Sequence, residues 1–140
     1  MSEPRRRVRS GSPYEATIGF SRALRCGDRV LVSGTAPIWP DGSCPSGAGV
    51  QAERCFAIAL AALAEAGAGA HDVVRTRMFI TDAADADAVG AAHRAAVGEA
   101  APAATMVVVA GLLDPRWKVE IELEAQLEPA AAAAAGEPAG

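Results

Sequence analysis

Three carboxylates recur at every second position near the end of the 140-residue chain: Glu120, Glu122 and Glu124, in "KVEIELEAQ". In an extended strand this spacing puts all three on one face and Val119, Ile121, Leu123 and Ala125 on the other. A carboxylate so placed can orient a water, pair with a cation or meet solvent. The spacing leaves water, a partner subunit and a reacting molecule open as what the acidic face meets. Arg75 and Arg77 in "DVVRTRMFITD" alternate in the same way and could neutralise some of the glutamates. Other chemistry-bearing residues are sparse. His71 and His93 have no partner at catalytic spacing and read as structural. Cys26, Cys44 and Cys55 form an odd set without a CxxC pair, which fits reduced thiols rather than a disulfide framework or a zinc site, so no metal is expected. Trp39 and Trp117 fall in loops, where they rim a pocket or cover a sheet edge.

The elements that must carry these groups follow from periodicity. "GFSRALRCGDRVLVSGTAP" reads as two strands around a Cys26-Gly27-Asp28 turn, and "IWPDGSCPSGAG" as a loop. Residues 50–66 have helical spacing, with Ala52, Phe56, Ala59, Leu60 and Leu63 on one stripe and Gly67 at the end. In the strand that follows, Val74, Thr76, Met78 and Ile80 share one face and Arg75, Arg77, Phe79 and Thr81 the other. Asp82 is the expected N-cap of a second helix over 83–98, with Val89, His93 and Ala96 on its stripe. After Pro102, "AATMVVVAGL" is a strand joined through "LDPR" to the acidic strand. The order β-β-α-β-α-β-β defines an α/β (α+β) two-layer sandwich with helices on one sheet face. The second face is expected to carry Phe79 and Arg77 beside Met106 and Val108. That face is too apolar to leave in water, and copies of the chain are its expected cover.

The length fits one domain, assigned to 12–128, between a basic arm (1–11) and an Ala/Pro/Gly tail (129–140), both expected to be disordered. Arg5, Arg6, Arg7 and Arg9 against Glu3 give the arm a charge of about +3 while the whole chain is at −4, so the body is acidic. An acidic body argues against a nucleic-acid partner. No apolar run is long enough to span a bilayer, and the N-terminus lacks the apolar core of a signal peptide. No membrane partner and a cytoplasmic location are the expectations.

Three stretches together resemble the YjgF/RidA family of reactive-intermediate deaminases, which also carries the endoribonuclease L-PSP label. They are "GFSRALRCGDRVLVSGTAPIWPDG", "QAERCFAIALAALAEAGAGAHDVVRTRMFITD" and "PAATMVVVAGLLDPRWKVEIELEA", spanning nearly all of 19–125. The resemblance implies a chorismate-mutase-like fold forming a homotrimer around a central barrel, with small-molecule pockets between subunits. It implies hydrolysis of enamines and imines to a 2-oxo acid and ammonia, without metal or organic cofactor. Some relatives are described as endoribonucleases or translation inhibitors.

Carried over residue by residue, the aromatic of the first strand falls on Phe20, the close-approach "SG" on Ser33-Gly34, and the water-orienting glutamate on Glu120. The arginine that grips the substrate carboxylate falls on Ala104, and the small polar or Cys position two residues on falls on Met106. Ala104 cannot bind a carboxylate, so the resemblance points to a branch without the deaminase arginine, and Arg77 is the alternative cation. The plainer readings stand beside these: an ion pair for Glu120, a strand end at Ser33-Gly34, packing for Phe20 and Met106. The resulting expectation is a hydrolase of imine or enamine metabolites that is not a standard 2-imino-acid deaminase. The alternatives are a metabolite-binding module without catalysis and, last, a ribonuclease or translation inhibitor.

Overall fold

The computed structural model describes residues 5–128. The expected Ala/Pro/Gly tail lies outside them. Strands β1 (Arg6–Val8), β2 (Ala23–Cys26) and β3 (Arg29–Thr35) are followed by helix α1 (Ala48–Glu65) and strand β4 (Val73–Ile80). Helix α2 (Ala86–Val97), β5 (Ala103–Val108) and β6 (Val119–Gln126) complete the domain. One six-stranded sheet runs in the order β1-β2-β3-β6-β4-β5, antiparallel except for the parallel β4–β5 pair. This is the expected mixed α/β sandwich with one strand more. The basic segment expected as a disordered arm supplies β1, an edge strand that pairs Arg7 with Leu24 and Val8 with Ala23. Val8 is buried, which gives the three-residue strand a hydrophobic anchor.

Gly27 and Asp28 alone separate β2 from β3, and Gly27 takes the positive φ (+60°) that a two-residue hairpin favours. The helices cover one sheet face. Phe56 and Leu63 of α1, Val89 and Val97 of α2 and Ile80, Ile121 and Leu123 from the sheet are fully or almost fully buried there. Each such side chain contributes roughly 1.5–3 kcal/mol of burial energy. Asp82 caps the second helical segment as expected, its side chain accepting the Ala84 N–H at 2.9 Å. His93 is structural: it shares a 2.7 Å hydrogen bond with Thr76 Oγ1 and lies edge-on to Phe56, and partial burial lowers its pKa.

Two register details alter the expected faces. A bulge between Val73 and Arg75 turns Val73 into the core and leaves Val74 exposed, so Val74 does not share the face of Thr76 and Met78. The β4–β5 register pairs Arg77 with Thr105 and Phe79 with Val107, whereas Ala104 lies opposite Thr76 and Met106 opposite Met78. Directly paired residues share a face, so the outer face carries Thr105 and Val107 beside Arg77 and Phe79. Met106 packs against the helix-side core instead.

Candidate functional site

The outer face of β2, β3 and β6 is the floor of an open cleft of about 1310 Å³. The segment before β2, the loop after β3 and the approach to β6 form its banks. Four of the residues singled out from the sequence meet here: Phe20, Ser33, Gly34 and Glu120. Ala104, Met106 and Arg77 do not line it. Within one chain Ala104 and Met106 project to the opposite side of the sheet from Glu120.

The three glutamates have separate fates. Arg77 Nη1 reaches Glu122 at 3.1 Å and Glu124 at 3.3 Å, and Arg29 also pairs with Glu124. Glu124 is consequently held below the usual carboxylate range: the Arg29 hydrogen bond is the largest effect, partial burial opposes it, and the Arg77 bond adds to it. Glu120 alone faces the cleft with no hydrogen bond or ion pair among the described residues. Burial pushes its carboxyl above the usual range, the positive charge of Arg22 pulls the other way, and neighbouring Glu122 adds to the rise. Arg77 is therefore committed to the other two glutamates.

Glu120 owes its seat to irregular backbone. Between Val32 and Thr35, β3 advances three residues while β6 advances two, so Ser33 and Gly34 form a bulge. A Cβ at position 34 would lie 2.5 Å from Glu120 Oε2, so the carboxylate occupies room that only glycine leaves. Ser33 closes the bulge on the other side, its Oγ donating to the Ser21 carbonyl at 2.6 Å and its N–H to the Arg22 carbonyl at 2.9 Å.

Arg22 was not singled out by sequence reasoning, because one arginine in an alternating strand resembles an exposed residue. It is only 6% exposed. Its Nη1 donates to the Gly34 carbonyl and, at 3.1 Å, to Thr35 Oγ1, while Nε lies 3.6 Å from Glu15. Burial would raise the Glu15 carboxyl, but the Ser10 hydroxyl and amide, the Arg22 charge and the Ser12 backbone together hold it low. Ser10, Glu15, Arg22 and Gly34 thus form one polar chain from the N-terminal segment to the backbone beside Glu120. Gln51 of α1 was also missed. Fully buried, it donates to the carbonyls of Pro45 (2.8 Å) and Arg116 (3.0 Å) and accepts the Lys118 N–H at 2.7 Å, tying two loops together before β6 begins.

The two tryptophans do line the cleft. Trp117 is buried edge-on to Tyr14, with centroids 6.0 Å apart, and Trp39 lies 5.9 Å from the Arg54 guanidinium. Cys55 is packed in the core and its thiol is pushed well up, chiefly by burial, so it is no nucleophile. No group of three or more potential metal ligands, and no helix long and apolar enough to cross a membrane, occurs among the described residues.

This six-stranded, two-helix fold is that of a class of small α/β domains already represented among solved structures. Residues 11–127 match the family model described as endoribonuclease L-PSP, and the chain belongs to that family, whose structural members carry the names YjgF and RidA. It is 42% identical over 125 residues to an uncharacterised protein of Streptomyces coelicolor, covering 89% of this chain and 93% of the relative. It is 37% identical, with a TM-score of 0.82, to a YjgF/YER057c/UK114 family member from Mycobacterium tuberculosis, covering 89% of this chain and 100% of that one. RidA from an Antarctic Psychrobacter is 27% identical at a TM-score of 0.74, covering 86% of this chain and 94% of that one.

Proposed function

We propose that this protein is a cytoplasmic homotrimer with small-molecule pockets between subunits, and that it hydrolyses imine or enamine metabolites without a cofactor. One observation carries the catalytic reading: Glu120 is the single glutamate of its strand left unpaired in the cleft, with its carboxyl pushed above the usual range. A carboxyl so placed, and shifted in this direction, is suited to take a proton and return it. As the water oxygen bonds to the imine carbon, its proton passes to Glu120 and the C=N π pair moves to nitrogen. Glu120 returns that proton to nitrogen, giving a carbinolamine. It then relays the carbinolamine hydroxyl proton to nitrogen as the C–N bond breaks, the bonding pair leaving with ammonia while the O–H pair closes the carbonyl. Val107 and Val108, exposed on edge strand β5, and Leu31, exposed on the outer face, support self-association. Because Ala104 offers no cation, a standard small 2-imino acid is not the expected substrate. The breadth of the cleft and its two tryptophans favour a bulky apolar body.

The test generates imines in place and follows their hydrolysis. A monoamine oxidase acting on benzylamine supplies an aromatic imine without a carboxylate, and a threonine dehydratase supplies the small 2-imino acid. The wild type should accelerate loss of the aromatic imine only, and Glu120→Gln should lower that rate by about 100-fold or more while leaving the oligomer intact. An unchanged rate in the variant would remove Glu120 from the mechanism. Ala104→Arg should gain activity on the small imine. Sedimentation analysis should give three chains per particle, and a monomer would overturn the inter-subunit pocket. The second reading, a binding module without chemistry, draws on the apolar lining of the cleft. It predicts that a ligand raises the melting temperature and no product forms. RNA cleavage fits least, because no histidine or lysine lines the cleft among the described residues.

A further inference from the structure

Arg22 grips three successive residues at the β3 bulge. Its backbone carbonyl accepts the Ser33 N–H at 2.9 Å, and its Nη1 donates to the Gly34 carbonyl and, at 3.1 Å, to Thr35 Oγ1. The bulge takes Ser33 and Gly34 out of the ladder with β6, so the Gly34 carbonyl needs a donor from elsewhere. The guanidinium that supplies it is itself held. Nε lies 3.6 Å from the buried Glu15 carboxylate, and the guanidinium carbon stands 5.2 Å from the Phe20 ring centroid. Glu15 is in turn held by the Ser10 N–H at 3.0 Å and by the Ser10 hydroxyl. These contacts restrain a side chain that would otherwise sample many rotamers.

The same side chain brings a charge. Arg22 is 6% exposed, so water screens it little. Around Glu120, β6 contributes Glu122, β4 the uncharged Phe79, and the β3 bulge no titratable side chain. Helix α1 contributes the Cys55 thiol, which burial keeps protonated, and Arg54, which is turned to the Ile38 carbonyl. Burial raises the Glu120 carboxyl, Arg22 is the cation that opposes the rise, and Glu122 adds to it.

We propose that Arg22 is a positioning residue for Glu120: clamped by Glu15, it fixes the bulge that seats the carboxylate and keeps a positive charge near that seat. This rests on the reading of Glu120 as the acid–base group and adds to it a residue that touches no reacting atom. An apolar side chain could fill the same volume, but it would leave the Gly34 carbonyl without a donor and Glu120 without the charge. Ser10 and Glu15 thereby belong to the same machinery, since the polar chain they begin ends at Gly34.

The carboxyl-carbon NMR signal of Glu120 in the full-length protein, identified by its loss in Glu120→Gln, tests this with or without turnover. In Arg22→Gln the signal should titrate at higher pH than in wild type, because the charge that favours the carboxylate is gone. Arg22→Lys keeps the charge and should titrate close to wild type. Arg25→Gln frees the Ala66 carbonyl in a comparable way outside the cleft and should leave Glu120 unmoved, so general loss of stability does not imitate the effect. On the aromatic imine, kcat of Arg22→Gln should fall on the order of 10-fold or more with KM little changed. The acid limb of its kcat/KM profile should move up with the Glu120 titration. Because Arg22→Gln strands the buried Glu15 charge, combining it with Glu15→Gln keeps the test decisive if the single variant folds poorly, and the pair should show the same upward movement. A Glu120 titration that stays at its wild-type position without Arg22, or that moves equally in Arg25→Gln, would overturn the proposal. An unmoved titration together with turnover that still depends on Glu120 would sink this inference and leave the hydrolase reading standing. A titration moved by Arg22→Gln in a protein without turnover would do the reverse.

Discussion

The Glu120 carboxylate occupies the space where a side chain at position 34 would begin: a Cβ there would meet Oε2 at 2.5 Å. The extra residue of the β3 bulge brings the Gly34 backbone across β6 at this point, and Arg22 fixes the bulge by donating to the Gly34 carbonyl. One missing methyl group thus sets where the unpaired carboxylate of the cleft can lie.

Gly34→Ala should separate activity from stability. The methyl group collides with the far end of a flexible side chain, which can swing aside, so the fold should lose only about 1 kcal/mol. The displaced carboxylate, however, would no longer stand where the proposed reaction needs it. Turnover should fall on the order of 100-fold, with a melting temperature close to that of wild type. A variant that keeps full activity would show that the seat of Glu120 is not critical.

The rise in the Glu120 pKa also has a stability signature. A carboxyl whose folded pKa lies above its unfolded value stabilises the fold at pH below the unfolded pKa, and that contribution disappears as pH rises through the folded pKa. Glu120→Gln removes this titration. The variant should therefore gain stability relative to wild type as pH rises past the usual glutamate range, and the gap should close in acid. Thermal melts of both proteins from acid to neutral pH measure the difference. A gap that widens in acid would reverse the sign assigned to this group.

The parts of this architecture visible in the sequence were those governed by repeating burial. The stripe of α1, the alternation of β6 and the Gly27-Asp28 hairpin each follow from a local pattern. Strand β1 did not, because three residues with two exposed arginines have no periodicity of their own, and only pairing with β2 makes them a strand. Val74 was assigned to the wrong face because a bulge breaks the alternation without any glycine or proline to mark it. The place of Met106 depends on the parallel register with β4, which no local pattern encodes. Of the candidate site, Phe20, Ser33, Gly34 and Glu120 were identifiable through family resemblance. Arg22 was not, since its burial depends on Glu15, seven residues earlier, and on a bulge twelve residues later.

Arg77 should matter for the sheet rather than for chemistry. It bridges Glu122 and Glu124, which occupy the same face of β6, and its loss leaves Glu122 with no cation and Glu124 with Arg29 alone. The groups are partly exposed, so Arg77→Ala should cost no more than about 1 kcal/mol, less in molar salt. Glu124 has a depressed folded pKa, so its contribution is present above the ordinary glutamate range and fades as pH falls through the folded value. Wild type and variant should accordingly converge in acid. A large loss of turnover at unchanged stability would instead return Arg77 to the site.

Gln51 links the helix to the approach of β6, and its removal tests whether that tie positions Glu120. In Gln51→Leu the apolar volume is kept, but the Lys118 N–H and the carbonyls of Pro45 and Arg116 lose their partner. Several unmet polar groups in a half-buried setting should cost about 3 kcal/mol. The damage should also be directional, because Lys118 immediately precedes β6 and Trp117 lies between the two residues that Gln51 holds. Tryptophan emission should shift to the red as the loop admits water, and turnover should fall further than the stability loss explains. Gln51→Glu provides the control. It can still accept the Lys118 N–H but has no donor for either carbonyl. If the Lys118 bond alone positions the strand, this variant should keep its activity while losing stability; equal loss in both variants would assign the effect to the Pro45 and Arg116 ties.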